Sequence, residues 1–169
     1  VILYLMRHGP AEDRGPSGGD FDRRLTVPGR LVVARVAEEL ARVRGTPLPR
    51  FAASPLTRAQ ETARIVRERV AGAPSLIETH DALADHEPAW ELARQLVRDA
   101  VDTLVVGHQP TIEVLVRGLL ADAPEPLRLR RGFATATLVA IHFDAEGGGA
   151  RLAHQLEPGL LETPSGATS

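Results

Sequence analysis

Three groups of polar residues in this 169-residue chain have the types and the placement to do chemistry. The first is Arg7-His8-Gly9, at the end of a short apolar run from Val1 to Met6. The second is Ser54-Pro55, with Arg58 one helical turn further on. The third is His108, which follows the apolar run Thr103 to Gly107. Arg7 can bind an anion, His8 can react with it, and Gly9 can let the backbone come close. On its own the triplet reads more simply as a strand followed by a turn with an exposed Arg-His pair. Taken together the groups offer more. Two Arg supply planar forks suited to the oxygens of a phosphoryl group. One His can be a nucleophile through a neutral ring nitrogen. The other can donate a hydrogen bond to an oxygen on which charge develops. Phosphoryl transfer depends mostly on positioning and charge stabilisation, so this set can suffice without a metal or other cofactor.

A zinc site is the competing reading, because His8, His108, His80 and His86, with Asp85 or Glu87, contain the right ligand types. No His-x-x-x-His or similar local pair is present, and Arg7 and Arg58 beside a dication would repel it. No metal ligand set is therefore expected.

These residues need a sheet to bring them together. Val1 to Met6, Phe51 to Ala53, Leu76 to Thr79 and Thr103 to Gly107 read as strands, each followed by a helical pattern. Thr26 and Pro28 start a helix that Gly45 ends. Ser54 at the N-cap and Pro55 at the first helical position predict a helix from Pro55 to about Val70. Ala89 to Ala100 and Thr111 to Leu120 are two more. Ala134 to Phe143 and Arg151 to Leu156, joined by a turn at Glu146 to Gly149, predict a hairpin. Ala11 to Arg24, with Gly15-Pro16-Ser17-Gly18-Gly19, reads as a mobile loop, and Pro158 to Ser169 as a frayed tail. The expected fold is a three-layer α/β/α sandwich with a mostly parallel sheet and a C-terminal antiparallel hairpin, one domain over 1–157 and a tail over 158–169. Parallel strands carry their ligands at their carboxyl ends, so His8, Ser54, Arg58 and His108 should share one edge.

Composition removes other chemistries. All 20 basic residues are Arg, so Schiff-base and P-loop lysine chemistry are out. With no Cys there is neither a disulfide framework nor a thiolate metal site. A net charge of −2 gives no support for a nucleic-acid surface. No apolar run approaches the ~20 residues that span a bilayer, and no signal peptide is recognisable, so the cytoplasm is the expected compartment.

The motifs resemble those of the histidine phosphatase superfamily, and most closely its small phosphohistidine phosphatase, SixA-like branch, within the phosphoglycerate mutase-like fold. Arg7-His8-Gly9 is similar to the superfamily hallmark. Arg23 with Leu25-Thr26 and Gly29 resembles the branch's Arg-Pro-Leu-Thr-x-x-Gly, with Arg24 where Pro is usual. Ser54-Pro55-Leu56-Thr57-Arg58-Ala59 with Thr62, and Gly107-His108-Gln109-Pro110, resemble two further blocks. The resemblance implies that His8 accepts the phosphoryl group, that Arg7, Arg58 and His108 hold its oxygens with Gly9 close by, and that Arg23 assists at the rim. Larger relatives place an acid after the third strand, where this chain offers Asp85 and Glu87. The branch lacks a dedicated acid, and imidazole, with a pKa of about 6.5, leaves far more readily than an alkoxide. The resemblance thus implies dephosphorylation of a phosphohistidine on a partner protein, such as a phosphotransfer domain, through a phosphohistidine intermediate. A small-molecule phosphomonoesterase and an inactive phosphohistidine-binding module are the alternatives.

Overall fold

In the computed structural model, residues 1–144 and 149–161 are described. The central strands are apolar along their whole length because both faces of the sheet are covered. In β1 (Ile2–Arg7), Tyr4 and Met6 enter one core, and Leu3 and Leu5 enter the other. The alternation follows from the two-residue period of a strand. α1 (Val27–Arg44) and α2 (Thr57–Arg67) cover the Tyr4–Met6 face through Val33, Val36, Leu40, Ala59, Ala63 and Val66. α3 (His86–Arg98) and α4 (Thr111–Leu119) cover the opposite face through Ala93, Leu96, Ile112 and Leu115. The result is the expected α/β/α sandwich. Among the described residues no helix is long and apolar enough to cross a membrane.

The remaining strands are β2 (Arg50–Ala53), β3 (Glu78–Thr79), β4 (Thr103–Gly107), β5 (Leu138–Phe143) and β6 (Ala150–Leu156). Their order is β3-β2-β4-β1-β5-β6. β1 through β4 are parallel; β5 runs antiparallel to β1, and β6 antiparallel to β5. Thus β2, β4 and β1 lie side by side at the centre, with their carboxyl ends on one edge, as the strand–helix alternation implied.

Several boundaries differ from the sequence expectation. β1 runs one residue further, and Arg7 is its last residue, opposite Gly107. α2 starts at Thr57, and Leu56, with no side-chain cap, precedes it. Ser54 lies two residues before the Leu56 cap position, and its hydroxyl is 2.6 Å from His108 Nε2 on the neighbouring strand. α3 starts at His86, so Glu87 and Pro88 lie in its first turn, where proline is tolerated and an acidic side chain suits the helix dipole. β3 is shorter than predicted, at the sheet edge. Thr26 caps α1 as expected, accepting from Gly29 N at 3.0 Å, and Gly45 ends it in the left-handed conformation. The expected hairpin turn lies partly in residues 145–148, outside the described ones. The expected frayed tail is corrected at its start: Pro158–Leu160 form a 3₁₀ turn, and the Leu161 carbonyl accepts from Arg35 at 3.2 Å. Residues 162–169 lie outside the described ones.

Between β1 and α1 the loop 11–24 is closed on itself rather than detached. A bridge pairs Ala11 with Leu25, and Glu12 N donates to the Arg24 carbonyl at 2.8 Å. Asp22 accepts from Ser17 N and Oγ at 2.8 and 2.7 Å, and Thr57 N reaches the Phe21 carbonyl at 3.1 Å.

Gly9 sits where β1 turns beneath α1. A Cβ there would lie 2.3 Å from Cγ2 of Val33, a buried residue of that helix. Gly9→Ala is expected to destabilise the fold by about 1–3 kcal/mol through overpacking. Urea unfolding of G9A, V33A and the double variant checks this: the double variant should lose less than the two single losses added together.

Candidate functional site

The carboxyl edge of the sheet carries a cavity of about 370 Å³, lined by Arg7, His8, Pro10, Ala11, Arg23, Arg58, His108, Gln109 and Thr135. The backbone of His8 is fixed on both sides. Its N–H donates to the Gly107 carbonyl at 3.0 Å, and its carbonyl accepts from Ala136 N at 2.9 Å. Below it, Gly9 N donates to Thr62 Oγ1 at 3.0 Å, and that hydroxyl donates to the Arg58 carbonyl at 2.7 Å. Thr62 therefore ties β1 to the start of α2.

The His8 ring has an assigned tautomer by the chemistry of its neighbours. Nδ1 lies 2.8 Å from the Gly9 carbonyl, which can only accept, so Nδ1 carries the proton. Nε2 is left with its lone pair and accepts from Arg58 Nε at 3.3 Å. Burial lowers the His8 pKa to about 4; the Gly9 bond opposes this, and the positive charges of Arg58, Arg7 and Arg23 add to it. The His108 ring lies 5.2 Å from that of His8, centre to centre. Burial, with the neighbouring His8, lowers the His108 pKa to about 3. Its Nε2 is 2.6 Å from Ser54 Oγ. Both rings are thus neutral at physiological pH, and Nε2 of His8 is nucleophilic.

The cations converge from three elements. Arg7, on the α3/α4 side of β1, donates to the Phe133 carbonyl at 2.9 Å. Burial lowers its pKa, and the negative charge of Glu113 in α4 works against that shift. Glu113 is itself held by Gln109 Nε2 at 2.7 Å. Arg58 reaches back from the first turn of α2, and its two terminal nitrogens donate to Asp20, to the carbonyl at 2.8 Å and to Oδ2 at 3.0 Å. Arg23 binds the other oxygen of the same carboxylate, Oδ1, at 2.8 Å. Bonds from Arg23 and Arg58 hold Asp20 below the usual carboxylate range. One carboxylate from the loop thus bridges two guanidinium groups at the cavity rim, an arrangement that an anionic ligand could also make.

The structure therefore brings Arg7, His8, Arg23, Arg58 and His108 to one cavity. Gly9 does not line it; its N–H and its missing Cβ serve Thr62 and Val33. Asp85 and Glu87 are exposed at the start of α3 and do not line it either. His80 pairs with Glu78 at 3.2 Å, and His86 with Thr111 Oγ1 at 3.0 Å. Among the described residues no group of three or more His, Asp or Glu is placed to hold a metal ion. Sequence reasoning gave no role in the site to three participants. Asp20 carried no signal within a glycine-rich loop, Gln109 was read only as part of the block around His108, and Ser54, though expected at the shared edge, was given only the role of a helix cap.

The model of branch 1 of the histidine phosphatase superfamily matches residues 3–91. No curated protein sequence matches the chain. The protein histidine phosphatase SixA, solved with tungstate, is similar with a TM-score of 0.77 and 25% identity over 94% of this chain and 97% of that one. A structure named phosphohistidine phosphatase SixA from Nakamurella multipartitia gives 0.68 and 27% over 93% and 95%. Another of that name from Agrobacterium tumefaciens gives 0.73 and 24% over 93% and 97%, a likeness of fold. With a family match over more than half its length and the same fold along nearly all of it, the chain belongs to branch 1 of the histidine phosphatase superfamily and is a hydrolase of the phosphatase class.

Proposed function

We propose that this phosphatase hydrolyses a phosphohistidine on a partner protein. The observation that carries the reading is a neutral, pinned His8 in an open cavity of arginines and histidines, with no carboxyl group among the described residues lining it. In the first step the Nε2 lone pair of His8 bonds to phosphorus as the bond from phosphorus to the substrate imidazole breaks. The substrate ring, protonated on its other nitrogen, keeps the electron pair of the broken bond and leaves as neutral imidazole, so no proton donor is needed. Arg58 leaves Nε2 and, with Arg7 and His108, holds the equatorial oxygens. Water then attacks the phospho-His8 phosphorus, the P–N bond breaks, and phosphate departs.

The leaving group decides the substrate class. An alkoxide needs a positioned acid, whereas imidazole, at a pKa of about 6.5, does not. Asp20, the carboxylate in contact with the cationic cluster, is held ionised by Arg23 and Arg58 and is no proton donor. The similarity to structures named SixA, one of them a protein histidine phosphatase, points the same way. Arg23 serves at the rim, where loop 11–24 controls access. A phosphotransfer domain is the kind of partner an open cavity admits, and the cytoplasm is the matching compartment.

A turnover panel tests the substrate class. A phosphohistidine peptide should exceed sugar phosphates and an aryl phosphate in kcat/KM by at least tenfold. Equal turnover of a sugar phosphate would favour the phosphomonoesterase reading. Acid-stable label should be absent and base-stable phosphoenzyme present after rapid quenching, and His8→Ala should trap none; no label on the unaltered chain would mean an idle binding module.

Two further outcomes follow from the electrostatics. A pKa lowered from 6.5 to about 4 moves His8 from mostly protonated to mostly neutral at pH 5. Its ring resonances should therefore stay those of a neutral imidazole from pH 7 down to 5, and phosphoenzyme formation should hold its rate over that range after correction for the substrate's own ionisation. A ring midpoint near 6.5 would contradict this. Asp20→Asn removes a charge that competes with phosphate for Arg23 and Arg58. Exposed ion pairs contribute up to about 1 kcal/mol, so inhibition by inorganic phosphate should tighten by roughly two- to fivefold. Weaker inhibition would show that Asp20 helps to hold phosphate.

A further inference from the structure

We propose that Ser54 is a positioning residue that donates its hydroxyl proton to Nε2 of His108 and so fixes that ring as the Nδ1–H tautomer. A neutral imidazole has one N–H, and the nitrogen that carries it decides what the ring can do to an anion. Whichever nitrogen of His108 lacks a proton can offer only a lone pair, which a phosphoryl oxygen would repel.

The assignment comes from accounting for every hydrogen at a buried pair. Ser54 is completely buried, and its Oγ lies 2.6 Å from Nε2 of His108. Leu56 N also points at Ser54 Oγ, at 3.5 Å, which uses the oxygen as an acceptor. The hydroxyl hydrogen must then find an acceptor of its own, and Nε2 is the one within reach. If Nε2 carried the proton, the hydroxyl hydrogen would be buried without an acceptor, and the Nδ1 lone pair would be buried without a donor. Nδ1 of His108 has no partner among the described residues. With the proton on Nδ1, one unpaired donor remains, in a residue that lines the cavity; with the proton on Nε2, two unpaired groups remain. The first arrangement costs less.

The geometry also gives Ser54 its place. Ser54 follows β2 and His108 follows β4, which are neighbours in the sheet. Ser54 N donates to the Val106 carbonyl at 3.0 Å, and the Ser54 carbonyl accepts from Gln60 Nε2 at 2.9 Å. The main chain around the hydroxyl is thus held from both sides, and the side chain can hold the ring in turn. The two catalytic histidines then have matched tautomers with opposite purposes. In His8 the Nδ1–H is consumed by the Gly9 carbonyl and Nε2 is left as the nucleophile. In His108 the Nε2 lone pair is consumed by Ser54 and Nδ1–H is left as the donor.

The tautomer rests on geometry alone, and its kinetic consequence rests on the phosphatase reading above. Long-range proton–nitrogen correlation spectra of protein carrying ¹⁵N-histidine test the first directly at pH 7, with His108→Gln used to assign the ring. The unaltered chain should show a pyrrole-like Nδ1 and a pyridine-like Nε2 in His108. Ser54→Ala should mix the two forms and leave the His8 ring as it was, and Ser54→Thr should restore the original pattern. A pyrrole-like Nε2 in the unaltered chain, or ring signals indifferent to S54A, would overturn the assignment. With a phosphohistidine peptide, S54A should lower kcat by roughly 10- to 100-fold at little change in KM, the range seen when a partner that orients a histidine is removed. A mixed His108 ring with unchanged kcat would overturn the positioning role. Failure of the unaltered chain to turn over any phosphohistidine would instead overturn the proposed substrate class and leave the tautomer result intact.

Discussion

The site depends on keeping one imidazole neutral and still while it is buried among positive charges. His8 would bear its own charge badly there, since burial disfavours an ion and Arg58, Arg7 and Arg23 add repulsion. The same forces that forbid the imidazolium preserve the nucleophile. The Gly9 carbonyl then decides where the single proton resides, and the bonds to Gly107 and Ala136 decide where the ring can stand. Val33 and Leu25 crowd the turn below, which is why no side chain is admitted at position 9. A reactive group and a tightly packed turn are in this way one structural requirement.

A second consequence is an excess of hydrogen-bond donors over acceptors at the rim. Guanidinium groups in a partly buried setting need anionic or carbonyl partners. Phe133 supplies a carbonyl to Arg7, and Glu113 supplies charge from α4. For Arg58 and Arg23 the partner is Asp20, borne on the loop 11–24 and itself largely exposed. An exposed carboxylate is given up to water at small cost, so the arginines are held in place without being locked against a substrate. Rigid strand ends carry the proposed nucleophile, and a tethered loop carries the exchangeable counter-charge.

The layered architecture was legible in the amino-acid order because it follows from short-range periodicity. Apolar runs of three to six residues, interrupted by helical spacing, define parallel strands covered on both faces, and Thr26, Pro28 and Gly45 mark the ends of α1 by local rules. Where a local rule met a tertiary partner, the partner prevailed. Ser54-Pro55 has the chemistry of a helix start, yet the hydroxyl is engaged by His108 from the neighbouring strand, and α2 begins two residues later than that cap would place it. Leu160 and Leu161, read as tail, are held because Arg35 finds a carbonyl there. No pattern within either segment reports such a partner.

The sequence by itself determined the chemistry that is available: Arg7, His8, Arg58 and His108 as the candidate reactive set, no lysine or cysteine to do anything else, and a strand–helix order that turns the carboxyl ends of their strands to one edge. Residue type and periodicity suffice for that, since both act over a few positions. The tertiary structure decided how these groups are used. Proton placement on His108 and the bond from Arg58 to Asp20 depend on atoms tens of residues apart meeting within about 3 Å, the reach of a hydrogen bond, and the depression of both histidine pKa values depends on burial by the assembled layers. Short-range interactions of this kind are set by packing, and packing is a property of the folded chain.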